Sequence, residues 1–69
     1  MEMHGVDSSN VAAVGFEENS QTLQVAFNNG STYQYFDVPI EIFEALRSAA
    51  SVGQFLNQQI KGKYRFSRV

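Results

Sequence analysis

The chain has 69 residues, of which 43% are hydrophobic and 17% are charged, and it contains no cysteine. This length allows one small domain, and the composition is that of a globular protein. The absence of cysteine excludes disulfides, zinc–thiolate sites and a thiol nucleophile. The formal net charge of −2 by itself argues against a nucleic-acid-binding protein.

The charges are divided along the chain. All seven acidic residues lie within residues 1–44, and all five Lys and Arg residues lie within residues 45–69. No apolar run approaches the roughly 20 residues that cross a membrane, and the first residues do not have the pattern of a secretory signal. We therefore expect a cytoplasmic protein with an unevenly charged surface and no membrane partner.

The first part of the chain is typical of β-structure. Residues 1–8 are polar and irregular, which predicts a flexible N-terminal arm in front of a single domain over residues 9–69. A first strand is expected over residues 10–17, with Gly15 as the candidate for a bulge that corrects its alternation. Two cleanly alternating runs, 22–28 and 31–38, predict two further strands.

The pair Asn29-Gly30 between these runs predicts a hairpin, but it leaves the loop length open. A two-residue loop turns Tyr33 and Tyr35 away from the core face of the preceding strand. A three-residue loop over residues 28–30 places both tyrosines on that face, because a shift of one residue exchanges the two faces. The longer loop is slightly favoured, since it exposes one large apolar ring instead of two tyrosine rings.

The second part of the chain is typical of helices. An apolar stripe after Pro39 predicts an amphipathic helix over residues 39–50. Ser51 and Gln54 have the spacing of a capping box, which predicts a second helix over 52–61. The remaining residues are compatible with either a short C-terminal strand or an extended tail. The predicted fold class is therefore α+β, a three-stranded antiparallel meander packed on two helices.

The expected core combines the apolar faces of these elements. The candidate core residues are Val11, Val14, Phe16, Leu23, Val25, Phe27, Val38, Ile42, Phe43, Leu46, Phe55, Leu56 and Ile60.

Several short motifs occur in a characteristic order along the chain. They are Ser8-Ser9, Phe16, Thr22-Leu23, Phe27, Asn29-Gly30, Tyr33-Gln34-Tyr35-Phe36, Val38-Pro39, Ala50-Ser51, Gly53, Phe55-Leu56-Asn57 and Ile60-Lys61-Gly62-Lys63-Tyr64. Together they resemble the KTSC domain family over roughly residues 8–66. Tyr33 and Tyr35 match the central Tyr-x-Tyr of that family. The family commonly has an aromatic residue before a Phe-Asn pair, whereas this chain has Phe55-Leu56-Asn57 and departs from that pattern at Leu56.

The resemblance implies a short domain that occurs at the C-terminus of some lysyl-tRNA synthetases and alone in small bacterial and phage proteins. No function is established for that family. RNA binding has been suggested for it, largely because of the synthetase connection, and this is an argument from association.

No group of residues predicts catalysis or metal binding. His4, Asp7, Ser8 and Ser9 lie in the predicted arm, where no fold holds a base against a hydroxyl nucleophile. One histidine and an acidic pair in a turn do not supply convergent metal ligands. The five glycines are too scattered for a phosphate-binding loop. We therefore expect that the protein is not an enzyme and that it binds neither a cofactor nor a metal ion.

The C-terminal segment is the main candidate for a binding site, because it interleaves basic and aromatic side chains. Single-stranded nucleic acid is held by cations along its phosphates and by rings that stack on its bases. An edge strand with solvated basic side chains and inward-facing aromatic rings explains the same pattern without a ligand. The candidate residues are Lys61, Lys63, Tyr64, Arg65, Phe66 and Arg68, together with Tyr33 and Tyr35 where the hairpin exposes them.

Two functions are therefore expected from the sequence. The first is a weak RNA- or tRNA-binding accessory module, for which four phosphate contacts imply a log–log salt slope of about −3. The alternative is a protein-interaction or self-assembly module that uses an open sheet edge and the opposite charges of the two parts of the chain.

Overall fold

A five-stranded antiparallel sheet forms one layer of the computed structural model, which describes residues 1–69, and the helical segments form the other. The strands follow one another across the sheet in chain order. They are β1 (Met3–Gly5), β2 (Val11–Glu17), β3 (Thr22–Phe27), β4 (Thr32–Tyr35) and β5 (Phe66–Arg68). The helices are α1 (Ile40–Ser48) and α2 (Val52–Phe55), and a π-helix (Leu56–Ile60) continues α2 directly. The predicted α+β class is confirmed, but the sheet has five strands instead of three.

Part of the predicted N-terminal arm belongs to the sheet. His4 of β1 pairs with Val14 of β2, and the Val6 N–H donates to the Ala12 carbonyl at 3.2 Å. The prediction of a flexible arm over residues 1–8 therefore does not hold for Met3–Gly5. A three-residue strand is too short to show alternation, and its pairing depends on the exposed edge of β2.

Strand β2 contains a bulge, but not at the predicted position. The pairing register with β3 shifts between Val11 and Ala13, so Ala12 is the extra residue. Gly15 instead continues the regular pairing. Because of the bulge, Val11 and Val14 both lie on the buried face, although their spacing does not fit one alternating period.

The β3–β4 hairpin has the three-residue loop that the sequence slightly favoured. The Phe27 N–H donates to the Ser31 carbonyl at 2.8 Å, and the Gly30 N–H donates to the Phe27 carbonyl at 3.0 Å. Gly30 has a φ of 91°, which glycine adopts without a steric penalty. In this register Tyr33 and Tyr35 both belong to the core face of the sheet.

The helical segments cover one face of the sheet and enclose the core. Pro39 precedes the first turn of α1, and the Ser51 hydroxyl accepts from the Gln54 N–H at 3.3 Å, as expected for the N-cap of a capping box. The buried core residues are Val11, Val14, Leu23, Val25, Tyr35, Val38, Phe43, Leu46, Val52, Leu56 and Ile60. Four further candidates remain partly exposed against this core, namely Phe16, Phe27, Ile42 and Phe55.

The C-terminal part of the fold differs from a plain second helix. The predicted helix over 52–61 is α-helical only to Phe55, after which the Lys61 N–H donates to the Leu56 carbonyl at 2.9 Å in a π turn. The chain then returns to the sheet, where β5 pairs with β4, so the C-terminal segment is a short strand and not an extended tail. None of the helices has the length and apolar character of a membrane span.

Candidate functional site

A groove of about 390 Å³ lies on the core-face side of the sheet, between the β3–β4 loop and the residues that follow the π-helix. Aromatic rings from three strands form much of its wall. The lining residues are Phe27, Asn29, Ser31, Tyr33, Tyr35, Lys61, Gly62 and Phe66, and we call this site the aromatic groove.

The rings of the aromatic groove contact one another in a connected series. The centre of the Phe66 ring lies 6.0 Å from the centres of both the Tyr33 and Tyr35 rings, and Tyr33 meets Phe27 edge-to-face at 5.8 Å. These separations are typical of packed aromatic pairs. Phe66 is 60% exposed, Tyr33 is half-buried and Tyr35 is only 3% exposed. Phe66 therefore offers a ring face to a ligand, whereas the ring of Tyr35 does not.

Tyr35 contributes its hydroxyl instead of its ring. Every fully buried side-chain oxygen and nitrogen of the structure has a hydrogen-bond partner. The Tyr35 hydroxyl bonds to no group of the chain, so it is not fully buried. It opens onto the groove that Tyr35 lines. Burial raises the pKa of Tyr35 above its ordinary value of 10.0, and repulsion from Tyr33 raises it further. The hydroxyl is therefore neutral at physiological pH and available as a donor and an acceptor.

One of the predicted cations, Lys61, lines this groove, and a second, Arg68, lies beside one of its tyrosines. The Lys61 ammonium is 5.4 Å from the centre of the Phe27 ring. Arg68 pairs with Tyr33 across β4 and β5, which places both residues on the same face of the sheet. Neither Lys61 nor Arg68 forms a salt bridge. The one ion pair of the structure joins Arg65 and Asp37.

Lys63, Tyr64 and Arg65 do not line the aromatic groove, although the sequence grouped them with it. They border an adjoining open depression beside Phe36, which shares Gly62 and Phe66 with the groove. The Arg65 guanidinium donates to the Asp37 carboxylate at 2.9 Å and lies 5.6 Å from the Phe36 ring. Of the predicted site residues, Tyr33, Tyr35, Lys61 and Phe66 therefore line the groove, and Arg68 lies beside Tyr33 on the same face of the sheet. Lys63, Tyr64 and Arg65 lie at the adjoining depression.

A second cavity, of about 320 Å³, opens beside the aromatic groove and shares Phe27, Asn29 and Lys61 with it. Four asparagines line this cavity, namely Asn10, Asn28, Asn29 and Asn57, and we call it the asparagine pocket. Sequence reasoning did not identify it, because these amides come from three separate parts of the chain. Asn57 belongs to one of the ordered motifs, but the sequence pattern predicts no role for it.

The family model for the KTSC domain matches residues 7–64. The chain belongs to the KTSC domain family. A protein from Tsukamurella paurometabola is 40% identical over 63 residues, which cover 91% of this KTSC domain and 94% of that protein. The crystal structure of a KTSC domain protein from Yersinia pestis is 32% identical with a TM-score of 0.93, and the match covers 99% of this chain and 96% of that one.

Much longer proteins also contain a related segment. A lysine–tRNA ligase from Nostoc punctiforme is 40% identical over 63 residues, but these residues are only 11% of the ligase. A second lysine–tRNA ligase, from Trichormus variabilis, is 41% identical over 54 residues, or 10% of its length. This KTSC domain therefore corresponds to one small segment of each ligase and not to the ligase as a whole.

Proposed function

We propose that this KTSC domain is a non-catalytic module that binds single-stranded RNA weakly, including unpaired segments of tRNA, in the aromatic groove. The observation that carries the proposal is that the exposed ring of Phe66 and the unpaired ammonium of Lys61 line one open groove. A base stacked on Phe66 places its phosphate within reach of a cation, which is the arrangement that holds single strands. The Tyr35 hydroxyl supplies a polar contact in the same groove.

The affinity is expected to be micromolar or weaker. Few cations lie near the groove, and the seven acidic residues of the chain oppose the approach of phosphates. A ligase-attached copy, as in the Nostoc protein, gains from a high effective concentration at its own tRNA. A weak module is therefore useful as an accessory to a larger tRNA-binding enzyme.

The test is an NMR titration of the ¹⁵N-labelled domain with a single-stranded RNA hexamer, rUUUUUU, and with tRNA, each at low and high salt. We expect salt-sensitive shifts at Tyr33, Lys61, Gly62 and Phe66. Absence of binding, or shifts confined to the opposite face of the sheet around Gln24 and Gln34, would overturn the proposal.

A pair of exposed apolar residues on the same edge provides a matched test of stacking. Phe66 is 60% exposed and Val69 is 64% exposed. Phe66→Ala removes the stacking ring and is expected to cost about 1–3 kcal/mol of binding free energy. Val69→Ala removes a similar exposed apolar group outside the groove and is expected to leave the Kd within about twofold. Equal effects of the two variants would contradict the stacking role.

A second candidate function, self-association, is favoured by the two open edges of the sheet. Strands β1 and β5 each pair on one side only. Acidic Glu2 and Asp7 flank β1, whereas Arg65 and Arg68 lie at β5, so the two edges are complementary in charge. Light scattering over a concentration series at two salt levels tests this candidate, and a monomer throughout would contradict it.

A further inference from the structure

We infer that the asparagine pocket is a base-reading subsite that prefers adenine, so that the smallest complete ligand of this surface is two adjacent nucleotides. This inference rests on the proposed function. It adds a preference for one base to a site that would otherwise hold RNA only by stacking and charge.

The hydrogen bonds within the pocket show which amide groups are free. Asn29 accepts through its Oδ1 from both the N–H and the hydroxyl of Ser31, at 3.0 and 2.6 Å, so this side chain mainly supports the loop. Asn28 donates through its Nδ2 to the Ser8 carbonyl at 3.2 Å. The side-chain amides of Asn10 and Asn57 bond to no other group of the chain, and both line the pocket. Each therefore retains a donor and an acceptor for a ligand.

Two free amides match adenine better than the other bases. The side chain of Asn or Gln donates to N7 and accepts from N6 of adenine at the same time, which is its standard bidentate contact with a base. Guanine presents two acceptors on the corresponding edge, which suits Arg or Lys instead. In a single strand the Watson–Crick edge is also open, so one amide alone can pair with cytosine or uracil as well. Adenine is the one base whose amino group lies between two ring acceptors, N7 and N1, so it can pair with one amide on each side. Two free amides in one pocket, from Asn10 and Asn57, therefore favour adenine.

The position of Lys61 connects this pocket with the aromatic groove. Lys61 and Phe27 line both cavities, and the Lys61 ammonium lies over the Phe27 ring. A phosphate at Lys61 therefore joins a nucleotide stacked in the groove to one whose base enters the pocket. The volume of about 320 Å³ is at the lower end of the range of about 300–1,000 Å³ that is typical of ligand pockets.

The backbone that carries these groups is also unusual. The π-helix begins at Leu56, includes Asn57 and is closed by the Lys61 N–H. Single π turns are rare and often occur at functional sites. Here the π turn presents Asn57 and Lys61 to the same pocket.

The experiment compares three RNA hexamers, rUUAUUU, rUUCUUU and rUUUUUU, by NMR titration of the wild-type domain and two variants. Asn57→Ala removes one free amide, whereas Gln58→Ala removes an exposed amide of the same π-helix that does not line the pocket. We expect the wild type and Gln58→Ala to bind the adenine-containing hexamer about 5- to 10-fold more tightly than the others. Asn57→Ala is expected to bind all three alike, with the affinity for rUUUUUU changed less than about twofold.

The outcomes separate this inference from the proposed function. If none of the hexamers binds, the proposed function fails and the base-reading subsite fails with it. If the wild type binds all three hexamers equally, or if Asn57→Ala keeps the preference for adenine, the subsite is overturned while RNA binding stands. Asn10→Ala is a second test, since its side chain makes no hydrogen bond within the fold.

Discussion

Lys61 holds its ammonium nitrogen 5.4 Å from the centre of the Phe27 ring, at the boundary between the aromatic groove and the asparagine pocket. A cation–π contact at an exposed site is worth only about 0.5–1 kcal/mol, and it does not neutralise the ammonium. Arg65 differs, because its guanidinium is paired with the carboxylate of Asp37. Two cations that look equivalent in the sequence therefore differ in their availability to phosphates.

The first prediction concerns Lys61, whose charge should matter more than that of a cation elsewhere. Lys61→Gln is expected to weaken RNA binding about 5- to 10-fold at low salt and to make the salt slope shallower by about 0.7. Arg47→Gln removes the same charge at the end of α1, where the guanidinium lies 5.5 Å from the Phe43 ring. Titrations over a salt series measure both, and equal losses would indicate attraction by overall charge instead of a site.

The second prediction concerns the Arg65–Asp37 pair, in which the Asp37 carboxylate neutralises the Arg65 guanidinium and keeps it from binding a phosphate. A strand that extends from the groove into the adjoining depression can meet Lys61, Lys63 and Arg68, none of which is in an ion pair, so the wild-type salt slope is expected to be about −2. Asp37→Asn frees Arg65 and should move the slope towards about −3. Asparagine tolerates the left-handed backbone of this position, where φ is 59°. Because the pair is exposed, the free energy of unfolding should change by less than about 1 kcal/mol.

Glu18→Gln is the matched control for the Asp37 variant. It removes one exposed acidic charge in the turn between β2 and β3, where Glu18 forms no ion pair. The affinity should rise slightly with the net charge, while the slope remains at about −2. A slope that changes equally in both variants would contradict a specific role for the Arg65–Asp37 pair.

Local patterns in the sequence were sufficient for most of the fold. The alternation in β3, the Asn29-Gly30 loop and the Ser51 cap each depend on neighbouring residues, and the structure contains all three. Strand β1 could not be predicted in this way, because it has three residues and obtains its hydrogen bonds from β2. Pairing between distant strands has no signature within the shorter strand alone.

The site was only partly predictable for a related reason. Alternation along β5 does not reveal which neighbour each basic residue faces, so the sequence could not separate Lys61 and Arg68 from Arg65. That separation depends on the register of β5 and on the turn that brings Asp37 to Arg65. The asparagine pocket depends on residues about 50 positions apart, such as Asn10 and Asn57, which only the folded chain brings together.

The third prediction concerns Gly15, which lies beneath the residues that lead into β1. A Cβ atom at this position would lie 2.6 Å from the Met3 Sδ and 2.7 Å from the Glu2 carbonyl oxygen. Because the Glu2 contact is with backbone, Gly15→Ala must displace the start of β1 and is expected to cost about 1–3 kcal/mol of stability. Urea denaturation measures the loss, and faster amide exchange in β1 would locate it.

Gly5→Ala is the control for this steric argument. Gly5 also lies in β1, but the nearest atom to its added Cβ would be the Ala12 carbonyl oxygen, at 4.0 Å. This variant is expected to remain within about 0.5 kcal/mol of the wild type. If Gly15→Ala were equally harmless, the close approach of β1 to β2 would not constrain residue 15.

The fourth prediction concerns the pH dependence that burial of Tyr35 gives to stability. Burial and the neighbouring Tyr33 raise the pKa of Tyr35 in the folded chain, whereas an exposed tyrosine ionises at about pH 10. Above that pH the unfolded chain binds fewer protons than the folded chain, so the free energy of unfolding falls as the pH rises. Tyr35 has no such effect below pH 10, where both states are protonated.

Tyr35→Phe tests this linkage by urea denaturation between about pH 8 and 11. The variant should lose less stability above about pH 10 than the wild type, because phenylalanine has no proton to release. At pH 8 the two proteins should differ by less than about 1 kcal/mol, since the Tyr35 hydroxyl bonds to no other group of the fold. Parallel pH profiles would contradict the linkage, and they would show that the Tyr35 hydroxyl ionises as readily in the folded groove as in the unfolded chain.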